Sequence, residues 1–504
     1  MNRFNRNNLQ RRKRKIIKRL ARKNYPDQDR PFFRGANVRY EMAGRAQGMG
    51  HGGVGAIFTM LGKLGFSRRV NDSLRLLKLH LPYFESDHVL NIAFNVLVGG
   101  TRLEDLEGLR HDEAYMDALG AERIPDPTTA GDFLRRFGAG DICALMETIN
   151  DIRETVWDNK AKRDPHFYDE AIVEVDGTLA ETLGECKGGM DISYKGIWGY
   201  APLLVTLANT REVLYIVNRP GNTPSCKDAA RWINLAVARL AKKFKKVTVR
   251  GDTDFSLTEH LDAWNEKVGF VFGYDARANL VEQARDLPES AWETLERAPK
   301  YTVKTRERTR PFNVKEAIVR AREFQTLRLQ CEDVAEFSCQ PAKCNKPYRM
   351  IVVRKNISVE KGDAVLFDDI RYFFYITNNF RAPNEQIVFE ANARCDQENI
   401  IAQLKSGINA LRAPVDDLTS NWAYMVIASL AWTFKAWYGL LTPDETVGRE
   451  ILRMEYKKFL HNFIAIPCQI IHGARRLVIR VIGYTRRLEP FFETWDAIRR
   501  LRPT

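Results

Sequence analysis

The chain has 504 residues, of which 44% are hydrophobic, and a formal net charge of +14, so it is long and apolar enough for several domains with buried cores. The charge is concentrated at the N-terminus, where residues 1–25 contain eleven Lys and Arg residues and no acid. Such a basic arm is typical of a protein that binds a polyanion, because every phosphate it neutralises releases counterions. The arm lacks the apolar core of a signal peptide, and its apolar stripe is thin for a membrane-surface helix.

Cysteine spacing and the most apolar segment argue against two further classes of protein. The eight cysteines are scattered without a C-x-x-C pair, which indicates reduced thiols in a cytosolic protein and no structural zinc site. The apolar run 423–441 contains Lys435, and no second such run exists. This pattern favours a buried helix over a transmembrane one, so we expect no membrane partner.

The N-terminal third predicts DNA-binding helices. In the arm, the candidate phosphate contacts form one basic run: Arg11, Arg12, Lys13, Arg14 and Lys15. Residues 66–137 then show helical periodicity broken by turn residues, which predicts a bundle of short helices. Thr128 is the expected N-cap of a helix that ends near Arg136, and Arg135 and Arg136 of this helix are candidate phosphate contacts. A helix-turn-helix reader fits this pattern, and so does any small helical domain.

After Pro165 the hydrophobic period changes from that of helices to that of strands. Three strand-like runs precede a long amphipathic helix and a fourth strand, and a second helix and a fifth strand follow: 171–178, 202–208, 213–219, 226–244, 246–255, 260–268 and 269–275. Residues 287–387 then alternate β-branched and polar side chains, which predicts a separate antiparallel unit. The order of three strands, helix and strand predicts a mixed five-stranded sheet with the fourth strand beside the first.

Two acids stand at the ends of strands that such a sheet would make neighbours. Asp176 ends the first strand and Asp252 the fourth. Carboxylates at strand ends project into the cleft beyond the sheet edge, and with a third acid from a packed helix they would form an oxygen cage for two Mg²⁺ ions. Each acid also has a structural explanation, because Asp176 precedes a glycine in a turn and Asp252 or Asp254 could cap the following helix.

The segment 391–408 predicts a short amphipathic helix that supplies the third acid. At about 100° per residue, Arg394, Glu398 and Lys405 fall within roughly 40° of one another. The apolar side chains gather on the opposite side: Ile400, Ile401, Leu404 and Ile408. Gly407 is the expected end of the helix. The alternative is a solvated face with ordinary i,i+4 and i,i+7 ion pairs.

A series of ordered motifs between about Leu81 and Leu441 resembles the DDE transposases of bacterial insertion sequences, specifically insertion sequence family 1380. The motifs that carry the resemblance are VLVGGTRLEDLEGLRHD, IPDPTTAGDFLRRF, VDGT, YKGIWGYAPLL, NRPGN, VRGDTDF, YFFYITN, RCDQENIIAQLK and NWAYMVIASLAW. VDGT and VRGDTDF contain the two aspartates. RCDQENIIAQLK contains Glu398 within an R-x3-E-x6-K frame.

The resemblance implies an RNase H-like, retroviral-integrase-like catalytic core with an antiparallel β-rich insertion, preceded by a helical DNA-binding domain. It implies that Asp176, Asp252 and Glu398 are the catalytic and metal-binding acids, with Arg394 and Lys405 as the accompanying basic pair. The implied cofactor is a pair of Mg²⁺ ions, for which Mn²⁺ can substitute. The implied reaction is strand cleavage and strand transfer at transposon-end inverted repeats in double-stranded DNA, by a homodimer that joins the ends to target DNA in the bacterial cytoplasm at the nucleoid.

The implied domains are a basic DNA-binding arm, a helical DNA-binding domain, the first part of the core, the β-rich insertion, and the last part of the core with C-terminal helices: 1–25, 26–165, 166–286, 287–387 and 388–504. The sequence departs from the family at Ala391, where related enzymes have Tyr and for which Phe389 is out of register. Asp254 stands where a small residue is more usual. Two alternatives stay open, which are an RNase H-like nuclease without strand transfer and a transposase-derived DNA-binding protein without catalysis.

Overall fold

The computed structural model describes residues 1–21, 40, 42, 47–297, 312–362, 364–473 and 476–503. The α-helices in these residues are α1 Arg3–Leu20, α2 Val54–Lys63, α3 Phe66–Ser73, α4 Glu85–Leu97, α5 Leu106–Arg110, α6 Glu113–Leu119, α7 Pro127–Leu134, α8 Ala139–Ala161, α9 Ala229–Leu240, α10 Thr258–Asn265, α11 Ala278–Arg285, α12 Val314–Ala321, α13 Asn384–Asn392, α14 Cys395–Ala402, α15 Leu418–Leu441, α16 Glu445–Arg453, α17 Tyr456–Phe459 and α18 Leu488–Arg500.

The strands in the same residues are β1 Gln47–Met49, β2 Glu170–Gly177, β3 Ala180–Glu181, β4 Asp191–Ile192, β5 Trp198–Tyr200, β6 Leu203–Leu207, β7 Glu212–Val217, β8 Lys246–Gly251, β9 Gly269–Tyr274, β10 Glu293–Thr294, β11 Gln325–Cys339, β12 Tyr348–Lys361, β13 Ala364–Thr377, β14 Cys468–Gly473 and β15 Arg476–Val481. The protein is therefore of mixed α/β class. The strands and helices predicted between 171 and 275 are all present.

The chain divides into two compact units. Unit 1 comprises Met1–Tyr168, Thr178–Thr223 and Asn399–Thr504, and unit 2 comprises Asp169–Gly177 and Pro224–Glu398. Unit 1 is mainly helical, with the antiparallel pair β6–β7 and two small sheets, β1-β14-β15 and β3-β5-β4. The sequence patterns did not predict these two small sheets. β1, β3, β4 and β5 have only two or three residues, too few to show a period, whereas β14 and β15 have six residues each and lie where C-terminal helices were expected.

Unit 2 holds seven strands of a mixed sheet in the order β10-β11-β12-β13-β9-β8-β2. β2, β8 and β9 are parallel to one another, and β2 lies directly beside β8 as predicted. α9 packs on β2 through its apolar face, which a parallel crossover requires. The sheet edge at the carboxyl ends of β2 and β8 is where the predicted aspartates belong.

The β-rich insertion does not form a separate sheet, so this prediction is wrong. β11, β12 and β13 are antiparallel as expected, but β13 also pairs with β9, with Thr377 opposite Val271 and Phe374 opposite Tyr274. This pairing supplies hydrogen-bond partners for the backbone groups of β9, which would otherwise be costly to bury. The insertion therefore continues the sheet that carries the aspartates.

α13 packs on the sheet of unit 2 and fixes the chain just before the predicted third acid. Its Ile387 and Val388 are fully buried in an apolar cluster on this sheet, and Phe389 and Ala391 pack against the same cluster. Position 391, where the resemblance predicts Tyr, therefore faces an apolar core in this protein. A side chain at this position contributes to packing.

The apolar run near the C-terminus is a buried helix, as predicted. α15 is buried along almost its whole length, from Ser420 to Leu441. The buried Lys435 donates a hydrogen bond from Nζ to the Leu452 carbonyl at 3.0 Å and lies 3.4 Å from the centre of the Trp432 ring. Across the described ranges, every helix is too short or too polar to span a bilayer.

A buried carboxylate ties together the core of unit 1. Glu212 on β7 accepts hydrogen bonds from Arg153 Nε at 2.9 Å, Trp157 Nε1 at 2.8 Å and Trp437 Nε1 at 2.9 Å. The side chains of Arg153 and Glu212, which form an ion pair, are essentially inaccessible to solvent. Because each partner of Glu212 comes from α8 or α15, the carboxylate fixes these two helices against β7.

The predicted bundle of short helices in residues 66–137 is present, but the expected cap of its last helix is wrong. α7 begins at Pro127, and its N-cap is Asp126, whose side chain accepts a hydrogen bond from the Thr129 N–H at 2.9 Å. Thr128 is instead inside the helix. Proline suits the first helical position because its missing N–H is not needed there, so the residue that precedes Pro127 becomes the cap.

Candidate active site

Asp176 and Asp252 lie side by side at one edge of the sheet, as the strand order predicts. β2 and β8 are in parallel register with Val175 opposite Gly251. The residues that follow these two, Asp176 and Asp252, therefore lie next to each other. Asp252 Oδ1 also accepts a hydrogen bond from the Asp254 N–H at 3.0 Å. This turn orients Asp252, while the side chain of Asp254 is exposed to solvent.

The guanidinium of Arg394 contacts both aspartates and Glu398. Its Nη1 lies 3.4 Å from Asp176 Oδ2 and 3.6 Å from Asp252 Oδ2, and its Nη2 lies 3.5 Å from Glu398 Oε1. The four side chains all belong to unit 2. Three carboxylates from two strand ends and one helix thus converge on a single cation.

Residues 391–408 do not form one continuous helix, so the prediction that Arg394, Glu398 and Lys405 share one regular helical face is wrong. Arg394 lies in the turn between α13 and α14, and Glu398 is in the first turn of α14. Lys405 lies in a π-helical turn of unit 1, where the spacing of about 100° per residue does not apply. The π-helical turn ends at Gly407, which is the predicted end of the segment.

Arg250 binds two carbonyl groups beside the break between α13 and α14. Its guanidinium donates hydrogen bonds to the carbonyls of Glu390 at 3.1 Å and Ala393 at 3.3 Å. A continuous α-helix would use these carbonyls to accept the N–H groups of Arg394 and Gln397. The Gln397 N–H instead donates to the Arg394 carbonyl at 2.9 Å. The local sequence cannot reveal these contacts, because Arg250 lies far away in the chain, on β8.

Burial favours the protonated forms of the two aspartates. It raises the pKa of Asp176 to about 6, against the opposing effect of Arg394 and with a further increase from the charge of Asp252. Burial also raises the pKa of Asp252, again opposed by Arg394. Perturbed carboxylates in a cluster of this kind are typical of functional sites. The two aspartates are therefore harder to ionise than exposed carboxyls, and the positive charge of Arg394 favours their ionised forms.

The chemistry of the donor set suits a hard cation. Carboxylate oxygens are the ligands that Mg²⁺ prefers in proteins, and each of the three acids of this site offers a pair of them. As placed, Arg394 lies between the acids, and within the described part of the chain no three Asp, Glu, His or Cys side chains are close enough to hold a metal ion together. A metal ion at this site would therefore have to displace the guanidinium.

The basic run of the arm lies on a helix that packs against unit 1. α1 is capped by Asn2, and its Leu9 is buried. Arg12 Nη1 donates hydrogen bonds to the carbonyls of Val481 at 3.2 Å and Gly483 at 2.8 Å, and to that of Ile482. Arg12 is therefore bound to protein carbonyls. The other members of the run are exposed or half-buried: Arg11, Lys13, Arg14 and Lys15.

Of the two arginines at the end of α7, Arg135 forms ion pairs within the protein. It lies 2.9 Å from Asp132 and 2.7 Å from Asp416. These acids raise the pKa of Arg135, chiefly through the hydrogen bond to Asp416. Arg136 is exposed to solvent.

Sequence reasoning missed a buried ion pair directly behind the aspartates. Glu174 and Arg250 stand opposite each other on β2 and β8, and Glu174 Oε1 lies 2.6 Å from Arg250 Nη2. Burial raises the pKa of Glu174 to about 7, and the adjacent Arg250 opposes this increase. The available signal was a charged residue inside the apolar stretch of each strand, two residues before an aspartate.

Comparison with known proteins gives one family match. The family model for the transposase DDE domain group 1 matches residues 31–503. A solved structure that is similar to this chain is a cryo-electron microscopy structure of a piggyBac transposase synaptic complex with hairpin DNA, at 10% sequence identity and a TM-score of 0.34, covering 92% of this chain and 88% of that chain. None of the curated proteins matches.

Proposed function

This chain belongs to the transposase DDE domain group 1 family, and on that basis we propose that it is a DNA transposase of insertion sequence family 1380. In this proposal it binds the inverted repeats at the transposon ends and catalyses strand cleavage and strand transfer. Asp176, Asp252 and Glu398 are its catalytic and metal-binding acids. The parallel strands β2 and β8 with their crossover helix α9 support an RNase H-like core.

The observation that carries the proposal is the convergence of the three acids on Arg394 at 3.4 to 3.6 Å. The acids come from positions far apart in the sequence, and each has a separate structural explanation when taken alone. Turn formation or helix capping does not require them to meet at one point. A shared site for cations explains why they do.

Each residue has a definite role in the proposed chemistry. Two bound Mg²⁺ ions, or Mn²⁺ ions in their place, would activate a water or 3′-hydroxyl nucleophile and stabilise the leaving oxygen. Asp176 and Asp252 hold ligand oxygens at a rigid sheet edge, and Glu398 adds a third carboxylate from α14. Arg394, once displaced from the acids, is placed to bind the phosphate beside the scissile bond, because its guanidinium can form two parallel hydrogen bonds with phosphate oxygens.

The proposed DNA contacts outside the site are backbone contacts. Lys405 and the exposed cations of α1 would bind phosphates without reading bases, and Arg136 would do so at the end of α7. Arg12 and Arg135 are weaker candidates than the sequence suggests, because both are bound to groups of unit 1. Because two transposon ends must be held together, the proposed active form on DNA is a homodimer.

Two other functions use the same site differently. A nuclease would cleave the ends without joining them to target DNA, and a silent DNA-binding protein would do neither. The convergence of all three acids argues against the silent protein, since a site released from catalysis need not keep three carboxylates together around one guanidinium.

Conservative substitution of the acids tests the proposal. Asp176→Asn, Asp252→Asn and Glu398→Gln each remove a ligand charge and preserve shape, so cleavage of end-containing DNA in Mg²⁺ should fall by orders of magnitude while end binding is largely kept. Asp254→Asn is the matched control, because it removes an exposed acid two residues from Asp252, and it should cleave normally. Near-normal cleavage by any of the three variants would remove that residue from the site.

A further inference from the structure

The ion pair between Arg250 and Glu174 lies beneath the active site and is almost wholly buried. Arg250 is 6% exposed and Glu174 is 0% exposed. Arg250 Nε lies 2.8 Å and Nη2 2.6 Å from Glu174 Oε1. Replacing such a pair by apolar residues often costs little stability. Stability of the fold alone therefore does not explain why this pair lies directly beneath the site.

Arg250 contacts both parts of the site that must be aligned. It lies on β8 two residues before Asp252, and Glu174 lies on β2 two residues before Asp176. Because alternate residues of a strand point to the same side, the ion pair and the two aspartates lie on one face of these strands. The remaining donors of Arg250 reach the carbonyls of Glu390 and Ala393, which lie four residues and one residue before Arg394.

The two carbonyl contacts lie where α13 ends. The Ala393 carbonyl accepts from both Arg250 and the Asp396 N–H, the latter at 3.1 Å, and the chain turns at residues 393–394 and restarts as α14. The turn puts Arg394 within 3.6 Å of both aspartates, and it puts Glu398 within 3.5 Å of the same guanidinium. A lysine at position 250 could not make all these contacts, since it is a compact point charge without the planar fork of arginine.

We propose that Arg250 is a positioning residue of the active site, which sets the place of Arg394 and Glu398 relative to Asp176 and Asp252 by holding the carbonyls of the turn before them. Its link to Glu174 fixes the guanidinium against both strands. The proposal rests on the proposed function, because the site it aligns is the metal-binding and catalytic site proposed above.

The protein contains a matched control for a purely structural role. Arg153 and Glu212 in unit 1 form another buried Arg–Glu pair, with Nε 2.9 Å from Oε1 and a second bond from Arg153 Nη2 to the Val213 carbonyl at 2.7 Å. The three active-site acids Asp176, Asp252 and Glu398 instead lie in unit 2. Arg153→Lys should therefore lower the melting temperature without changing the active site.

The test compares Arg250→Lys, the double variant Glu174→Met/Arg250→Met, and Arg153→Lys in the full-length protein. The double variant removes both charges together, so it avoids an unpaired buried charge while it still removes the bonds to the carbonyls. Three quantities are measured well below each melting temperature. They are amide hydrogen exchange of residues 390–402 by mass spectrometry, the Kd for Mn²⁺ alone by electron paramagnetic resonance, and the rate of DNA cleavage.

We expect both Arg250 variants to speed exchange in residues 390–402, to weaken Mn²⁺ binding by roughly tenfold and to slow cleavage by more than that, while Arg153→Lys changes none of the three. The proposal would be overturned if either folded Arg250 variant exchanged the amide hydrogens of residues 390–402 at the wild-type rate. It would also be overturned if Arg153→Lys changed the three quantities as much as the Arg250 variants do. If Arg250→Lys does not fold, the double variant decides. Absence of Mn²⁺ binding in the wild type would instead contradict the proposed function, and the exchange experiment would still test the positioning role.

Discussion

Asp176, Asp252 and Glu398 share the guanidinium of Arg394, so an entering metal ion must compete with a cation that belongs to the protein. The sequence places the two aspartates correctly, because a charged residue at the end of an apolar strand is visible in the pattern of a single segment. It misplaces Arg394, which it puts on the face of a continuous helix. In the structure Arg394 lies in a turn and contacts the three acids, and its contact with DNA stays a proposal.

This competition predicts opposite effects of Arg394→Gln on metal binding and on catalysis. Loss of the guanidinium removes the cation that metal ions must displace, so the affinity for Mn²⁺ should rise by roughly threefold to tenfold, a modest gain because the site is partly open to solvent. Cleavage and joining should nevertheless fall, because the phosphate then has no guanidinium to bind. The control is Arg381→Gln, which removes the same charge from an exposed position of unit 2. Weaker Mn²⁺ binding by Arg394→Gln would show that Arg394 supports the metal site rather than competing for it.

The raised pKa of Asp176, about 6, predicts that metal binding depends on pH in the weakly acidic range. Only the ionised carboxylate binds a cation, so above pH 6 the affinity for Mn²⁺ should be constant. Below pH 6 the proton competes and the affinity should fall, approaching about tenfold per pH unit. The measurement is the Kd for Mn²⁺ between pH 5 and pH 8. An affinity that stays flat down to pH 5 would mean that Asp176 ionises at its ordinary pKa or does not bind the metal.

At the scale of the elements, the order of strands and helices from residue 171 to 275 could be predicted, because each element shows its own hydrophobic period. The break between α13 and α14 could not, since the contacts made there by Arg250 come from β8, far away in the sequence. The pairing of β13 with β9 was also out of reach, because an alternating pattern identifies a strand without identifying its partner. Contacts between distant segments thus account for what the local patterns missed.

Close packing between β9 and the loop after β8 predicts that Gly273→Ala disturbs Asp252. A Cβ at position 273 would lie 2.9 Å from the Thr253 nitrogen and 3.3 Å from the Asp252 carbonyl carbon, so the backbone of this loop would have to move. We expect cleavage to fall at least tenfold, because small misplacements of reacting groups are costly, with the fold retained. Gly269→Ala at the other end of β9 is the control, since its methyl would lie 3.3 Å from the Thr248 hydroxyl. Normal cleavage by Gly273→Ala would show that the loop tolerates the shift.

At the scale of the whole molecule, the composition indicates a DNA-binding protein through its basic N-terminus, but it cannot show which cations are available. α1 packs on unit 1 through Leu9 and Arg12, so deletion of residues 1–25 would remove structure as well as charge. Substitution of exposed cations separates the two effects. Sequence composition counts charges, whereas their availability depends on tertiary contacts.

The triple variant Arg11→Gln/Arg14→Gln/Lys15→Gln should weaken binding to end-containing and random DNA alike. Phosphate contacts carry no base information, and the salt dependence of binding should flatten by about 0.9 in slope for each phosphate that the arm no longer neutralises. The control replaces three exposed cations of unit 2, Lys242, Lys267 and Arg285, by glutamine. An unchanged slope in the arm variant, or an equal change in the control, would contradict a specific role of the arm in holding DNA.

The central claim is that Asp176, Asp252 and Glu398 form a site that catalyses the cleavage of DNA strands and their joining to a target. The most direct test incubates the wild-type protein and Glu398→Gln with Mg²⁺, DNA that carries the inverted repeats flanking the gene, and an intact circular target, and sequences the products. We predict junctions that link the 3′ ends of the element to target DNA in the wild-type reaction and none with Glu398→Gln. Cleaved ends without junctions would identify a nuclease, and junctions formed equally by Glu398→Gln would contradict the assignment of the site.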